Sequence, residues 1–184
     1  NQWKRIYTNE GPLARRCHSM ATTTDIAFPG AVILFGGLAH KSQQHQLTTT
    51  TTTLTQEHQY LKDLWLYHIS KEIWTELNPT GYKGGPIPSA RAYQRLAKFT
   101  PDGYSTSLIL MFGGRLSSGQ DTNQTWVLEL GATTTNNALP FTAVWYLVPV
   151  SSPANSAPSS RTGHSMSSLG KNSVVLFGGY DSIK

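Results

Sequence analysis

Ala31-Val32-Ile33-Leu34-Phe35-Gly36-Gly37 is the stretch that decides the fold of this 184-residue chain, because the chain writes it three times. It returns as Ser107-Leu108-Ile109-Leu110-Met111-Phe112-Gly113-Gly114 and as Ser173-Val174-Val175-Leu176-Phe177-Gly178-Gly179. Every copy is introduced by a related phrase. Pro12-Leu13-Ala14-Arg15-Arg16-Cys17-His18 precedes the first, Pro88-Ser89-Ala90-Arg91-Ala92-Tyr93-Gln94 the second and Pro158-Ser159-Ser160-Arg161-Thr162-Gly163-His164 the third. Self-similarity at long period means stacked units that cannot bury their faces alone.

The di-glycines begin at 36, 113 and 178, so spacing varies while the phrase does not. Between them lies a second recurring element. Asp63-Leu64-Trp65-Leu66-Tyr67 leads on to Trp74, and Thr125-Trp126-Val127-Leu128-Glu129 leads on to Trp145. Trp3 holds the corresponding place ahead of the first copy. Each unit reads as four short strands: an Arg/His strand, an apolar run ending in Gly-Gly, a strand around the first Trp, and a last Trp strand. The apolar runs do not alternate, so they need cover on both faces, as in radially packed sheets. Glycine pairs suit a sharp turn at the end of each run because glycine accepts positive φ. A Trp on each last strand can fill the gap between neighbouring sheets.

This combination resembles the Kelch repeat, with an opening phrase similar to the long-blade attractin and muskelin type. The resemblance implies an all-β chain forming a β-propeller segment. Residues 1–7 are then the last strand of one blade, 12–77 and 88–148 two full four-stranded blades, and 158–184 half of a third. Two inserts, 38–62 and 131–142, carry Thr, Gln and Asn in place of core residues and read as flexible loops. His40, His45 and His58 lie in the first of these. Propellers close with about four to eight blades, so the expectation is a segment of a longer protein whose other blades are partners of this one.

Composition narrows the function. The chain carries a formal net charge of +5, but its 15 basic residues are scattered and only Lys4-Arg5 and Arg15-Arg16 are adjacent, which argues against a nucleic-acid surface. No apolar run approaches the ~20 residues of a membrane span. A single cysteine, Cys17, tilts the compartment towards the cytoplasm over the extracellular space, against which stands the glycosylation triplet Asn123-Gln124-Thr125.

Residues that recur between units suit structural work: Arg15, Arg91 and Arg161, the paired His18 and His164, the glycines 36, 37, 113, 114, 178 and 179 (Gly36, Gly37, Gly113, Gly114, Gly178, Gly179), and the tryptophans Trp65, Trp74, Trp126 and Trp145 with Trp3. The arginines should bond carbonyls or an acid within the stack. Two histidines with Gln94 between them do not make a metal ring. Recognition falls instead to cationic and aromatic residues that differ between units: Arg16, Tyr82, Lys83, Arg115 and Tyr180. No nucleophile or acid–base constellation stands out, so the expected function is a non-catalytic protein-interaction module without a cofactor. The alternative is part of a Kelch-type metalloenzyme, resembling copper-radical oxidases with their Tyr–Cys crosslink or iron-dependent specifier proteins, whose active residues would lie in other blades.

Overall fold

The computed structural model describes residues 5–6, 10–23, 30–40, 58–104, 106, 108–132, 141–149 and 157–181. In chain order the strands are β1 (Arg15–Arg16), β2 (Ser19–Thr23), β3 (Ala31–His40), β4 (His58–His68), β5 (Ile73–Leu77), β6 (Thr80–Gly81), β7 (Arg91–Ala92), β8 (Arg95–Phe99), β9 (Leu108–Phe112), β10 (Arg115–Leu116), β11 (Thr125–Ala132), β12 (Phe141–Val148), β13 (Ser165–Leu169) and β14 (Ser173–Phe177). A three-residue 3-10 turn, Tyr82–Gly84, is the one helical element among the described residues. No helix among them is long and apolar enough to cross a membrane.

The chain is all-β. Strands β2, β3, β4 and β5 form one antiparallel meander, β8, β9, β11 and β12 a second, and β13 with β14 a hairpin that begins a third. The described residues close no barrel or ring. Two of the three non-alternating runs become central strands covered on both faces, Ile33, Leu34 and Phe35 being buried in β3 and Leu108, Ile109, Met111 and Phe112 in β9, whereas the third, β14, is largely exposed. One apolar core joins the two meanders. Trp145 on β12 is buried there, edge-on to Phe35 at 5.4 Å and to Trp126 at 6.5 Å. Truncating it to Ala would cost roughly 3–5 kcal/mol. Trp74 is only half-buried and packs on Tyr67 of its own sheet. Trp3 lies outside the described residues, as does most of the 1–7 strand, and Arg5 and Ile6 carry no strand.

Three features differ from the sequence reading. Gly36-Gly37 does not end its strand but forms a bulge inside it, with a register shift between Phe35 and Gly37. Beyond the bulge Leu38 and Ala39 pair with Tyr60 and Gln59, and Leu38, Ala39 and Leu61 are buried. Strand therefore claims 38–40 and 58–62, both ends of the expected insert, because those side chains supply an apolar face that the Thr-rich centre lacks. His40 and His58 close this pairing with their rings 5.7 Å apart, and are not loose loop residues. The β11–β12 hairpin likewise takes 131–132 and 141–142 from the second insert.

The Arg/His strand is also broken in two by residues at positive φ, Cys17 at 59° and Tyr93 at 63°. Finally, β6 adds to the outer edge of β12 in parallel, shielding an edge that would otherwise be open to pairing.

Successive units meet at the first glycine of each pair. A Cβ on Gly36 would stand 2.7 Å from the Arg91 carbonyl oxygen, and one on Gly113 2.6 Å from that of Arg161. Gly178 has the same left-handed backbone, φ 71°, but nothing within 4 Å of that position. Gly113→Ala is therefore expected to cost about 3 kcal/mol, combining left-handed strain with overpacking. Gly178→Ala should cost only the strain, about 1–2 kcal/mol. Urea unfolding of the two variants checks this, and equal losses would mean the contact between units contributes nothing.

Candidate functional site

The recurring arginines are built into the sheets by one bonding pattern. The Arg15 Nε donates to the Leu13 carbonyl at 3.0 Å, and Nη1 donates to the Gly36 carbonyl at 3.1 Å. Nη1 and Nη2 also grip the two Asp63 oxygens, each at 2.6 Å. Arg91 repeats this with Ser89, Gly113 and the Gln124 side-chain oxygen, the last at 2.7 Å. Arg161 bonds Ser159 and Gly178 in the same way. The acceptor on the third strand also takes the indole N–H two residues on, Trp65 to Asp63 at 2.7 Å and Trp126 to Gln124 at 3.2 Å.

One guanidinium thus ties three strands of a unit together. Burial pushes the Asp63 carboxyl up, but hydrogen bonds from Arg15 and Trp65 outweigh it and hold the group below its ordinary value. Arg91 is fully buried with only neutral acceptors on these bonds, and burial brings it down to about 10. Asp63 and Gln124 carry this bracket, and their spacing from Trp65 and Trp126 was the sequence signal for them.

Three residues after Arg91 and Arg161, the side chain reaches back to the preceding unit. Gln94 Nε2 donates to the Phe35 carbonyl at 2.8 Å. His164 takes the equivalent place against Phe112, rings 5.6 Å apart and edge-on. Burial first, then the Arg95 and Arg161 charges, lower His164 to about 4; the Phe112 backbone opposes part of this, although neither ring nitrogen makes a well-formed hydrogen bond. His18 is lowered by the same kinds of effect, burial ahead of the Arg15 and Arg95 charges. Both rings are neutral at pH 7 and serve packing.

The five recognition candidates fall into two groups. Arg16, Arg115 and Tyr180 gather where the Arg/His strands begin. Arg115 pairs with β7, binds Asp121 at 2.8 Å and 3.3 Å, and holds its guanidinium 6.0 Å from the Tyr180 ring centre. The Asp121 hydrogen bond raises the Arg115 pKa and keeps the group charged. Arg16 is exposed and has no carboxylate partner among the described residues.

Tyr60 and Tyr93 join this group and were missed from sequence, Tyr60 because it sits at the edge of the expected insert and Tyr93 because it departs from the repeat. The Tyr93 phenol is raised first by its hydrogen bond with the Cys17 thiol and then by burial, while Arg16 pulls the other way. Cys17 and Tyr93 are the residue types of an oxidase crosslink, yet no three His, Cys, Asp or Glu side chains converge among the described residues.

Tyr82 and Lys83 stand apart from that face. Tyr82 packs 4.7 Å from Tyr146 on the outer strand β12, and Lys83 lies over the Tyr82 ring at 5.2 Å. Tyr146 donates to Glu129, which with burial raises its phenol to about 12. A separate cavity of about 240 Å³ runs along β2, β8 and β13, lined by Met20, Leu96 and Met166 with Thr22, Lys98 and Ser168 among others.

No family model and no curated protein matches the chain. Among solved structures it is similar to a chain in "Cryo-EM structure of RAG in complex with one melted RSS and one unmelted RSS". The match has a TM-score of 0.55 at 19% identity and covers 91% of this chain and 41% of that one. The likeness is one of fold, and this chain spans less than half the length of its counterpart.

The His164 environment gives a pH prediction. Its folded pKa of about 4 lies below the ordinary 6.5, so the unfolded chain takes up the proton first and stability falls as pH drops from 6.5 towards 4. His164→Gln, which copies Gln94, should be at least as stable at pH 7 and should flatten that part of the profile. Denaturant unfolding from pH 7.5 to 4.5 measures it. An unchanged slope would show that His164 is not the titrating group.

Proposed function

We propose that this chain is a Kelch-type, non-catalytic interaction module that receives a protein partner at the face carrying Arg16, Tyr60, Tyr93, Arg115 and Tyr180. The observation that carries the reading is the division of labour among the arginines. Arg15 and Arg91 are each held by acceptors of their own unit, Asp63 and Gln124 among them. Arg16 projects from the same strand start with its charge uncommitted among the described residues. Arginine and tyrosine supply binding energy at interface centres, and here they are held by strands, so little ordering entropy is lost on docking. Tyr60 lies close enough to influence the charge of both Tyr93 and Arg115, which supports reading these residues as one group.

Crosslinked pull-downs read by quantitative mass spectrometry test this with wild type, Arg16→Glu and Lys83→Glu. A partner enriched by wild type should fall about tenfold or more with Arg16→Glu, as for loss of a hot-spot arginine, and persist with Lys83→Glu. Retention by an Arg16→Glu protein that melts normally would contradict the assignment.

A further inference from the structure

We propose that His40 and His58, paired across β3 and β4, form a binding site for a divalent transition-metal ion such as Zn2+ or Cu2+. The two residues stand directly opposite each other in the antiparallel register, and their rings lie 5.7 Å apart at 75°. Directly opposed side chains share one face of a sheet, with Cβ atoms about 4.5–5.5 Å apart. Two imidazole nitrogens each about 2.0–2.1 Å from one ion, at a tetrahedral angle, put the ring centres about 5 Å apart. Small rotations about the side-chain bonds close that difference.

The pair owes its register to the Gly36-Gly37 bulge. Ahead of it Phe35 lies opposite Leu64, and after it Gly37 lies opposite Leu61. Had the earlier register continued, His40 would face Gln59, and the two imidazoles would lie on opposite faces of the sheet. Both glycines hold positive φ, 66° and 101°, and a Cβ on either would stand 2.7 Å from a backbone carbonyl oxygen. The one-residue shift is thus fixed by backbone that accepts no side chain. Next to the histidines the hairpin is anchored by Leu38, Ala39 and Leu61, all buried. Donors carried on a packed sheet keep their spacing without a metal, so little ordering entropy opposes binding.

The donor set indicates the ion. Imidazole suits Zn2+, Cu2+ and Ni2+, whereas Ca2+ and Mg2+ take oxygen ligands. No three His, Cys, Asp or Glu side chains converge among the described residues. These residues therefore supply two ligands, and the remaining positions take water or a donor from a partner. His40 is exposed and His58 half-buried, so an ion reaches the pair from solvent. A bound ion bridges the two strands and stabilises the folded hairpin. The site does not depend on what the Arg16 face binds.

The test follows the histidine ring signals of the isotope-labelled 184-residue chain by NMR during titration with zinc chloride. Signals of His40 and His58 should shift together and saturate at one equivalent, while those of His18, His68 and His164 stay in place. His40→Asn and His58→Asn should each weaken binding about tenfold or more, as expected when one of two linked ligands is lost. Zinc should also raise the melting temperature of the wild type and of neither variant. Magnesium chloride at the same concentration should leave both readouts unchanged. Absence of a saturable shift at His40 and His58 overturns the proposal. So does undiminished binding by either variant, an equal response to magnesium, or a response centred on any other histidine.

Discussion

Everything in this structure hangs on a planar cation that, in the first unit, is placed where three strands of one sheet come together. The guanidinium donates to a carbonyl two residues before it, to the carbonyl of the first glycine, and to the acceptor that precedes a tryptophan. Lysine could not replace it, because a rigid fork of donors is needed to reach all of these acceptors at once. The bracket tolerates a change of acceptor from Asp63 to Gln124, at the expense of leaving Arg91 buried without a counter-charge among the described residues. That trade keeps the geometry and weakens the electrostatics.

Contacts between units follow from the same point. The arginine carbonyl of one unit presses on the first glycine of the unit before it, which explains why a side chain is excluded at Gly36 and Gly113. One step along, the Tyr93 N–H donates to the Cys17 carbonyl at 2.9 Å, and the Gly163 N–H donates to the Tyr93 carbonyl at 3.3 Å. All three residues sit at positive φ, so a strained backbone position is repeated because it carries a hydrogen bond from unit to unit. Gln94 and His164 add a side chain to the same junction. Rigidity of this kind leaves loops and strand starts free to vary, which is the condition for a recognition surface.

The succession of four strands was legible because Phe-Gly-Gly and the spaced tryptophans recur; β5 ends at Leu77 and β12 at Val148. What a repeat phrase does not encode is where a strand stops. The Gly36-Gly37 bulge keeps β3 running to His40, since Leu38 and Ala39 find cover that depends on tertiary packing. The candidate face was legible only in part. Arg16, Arg115 and Tyr180 stood out as non-repeating residues, but Tyr82 and Lys83 share that character and sit elsewhere. Which non-repeating residues converge is decided by strand pairing across the sheets, and Tyr60 and Tyr93 join the group by that route alone.

The most direct test of the bracket is a double-mutant cycle between Arg15 and Asp63, using Arg15→Met and Asp63→Asn with stability read from urea unfolding at low salt. The pair is bidentate, with the Arg15 side chain 3% and the Asp63 side chain 22% exposed. The account predicts a coupling energy of about 1.5 kcal/mol or more, as for a charge-assisted, largely buried hydrogen bond. A coupling of about 0.3 kcal/mol or less, the value of an independent surface pair, would contradict it.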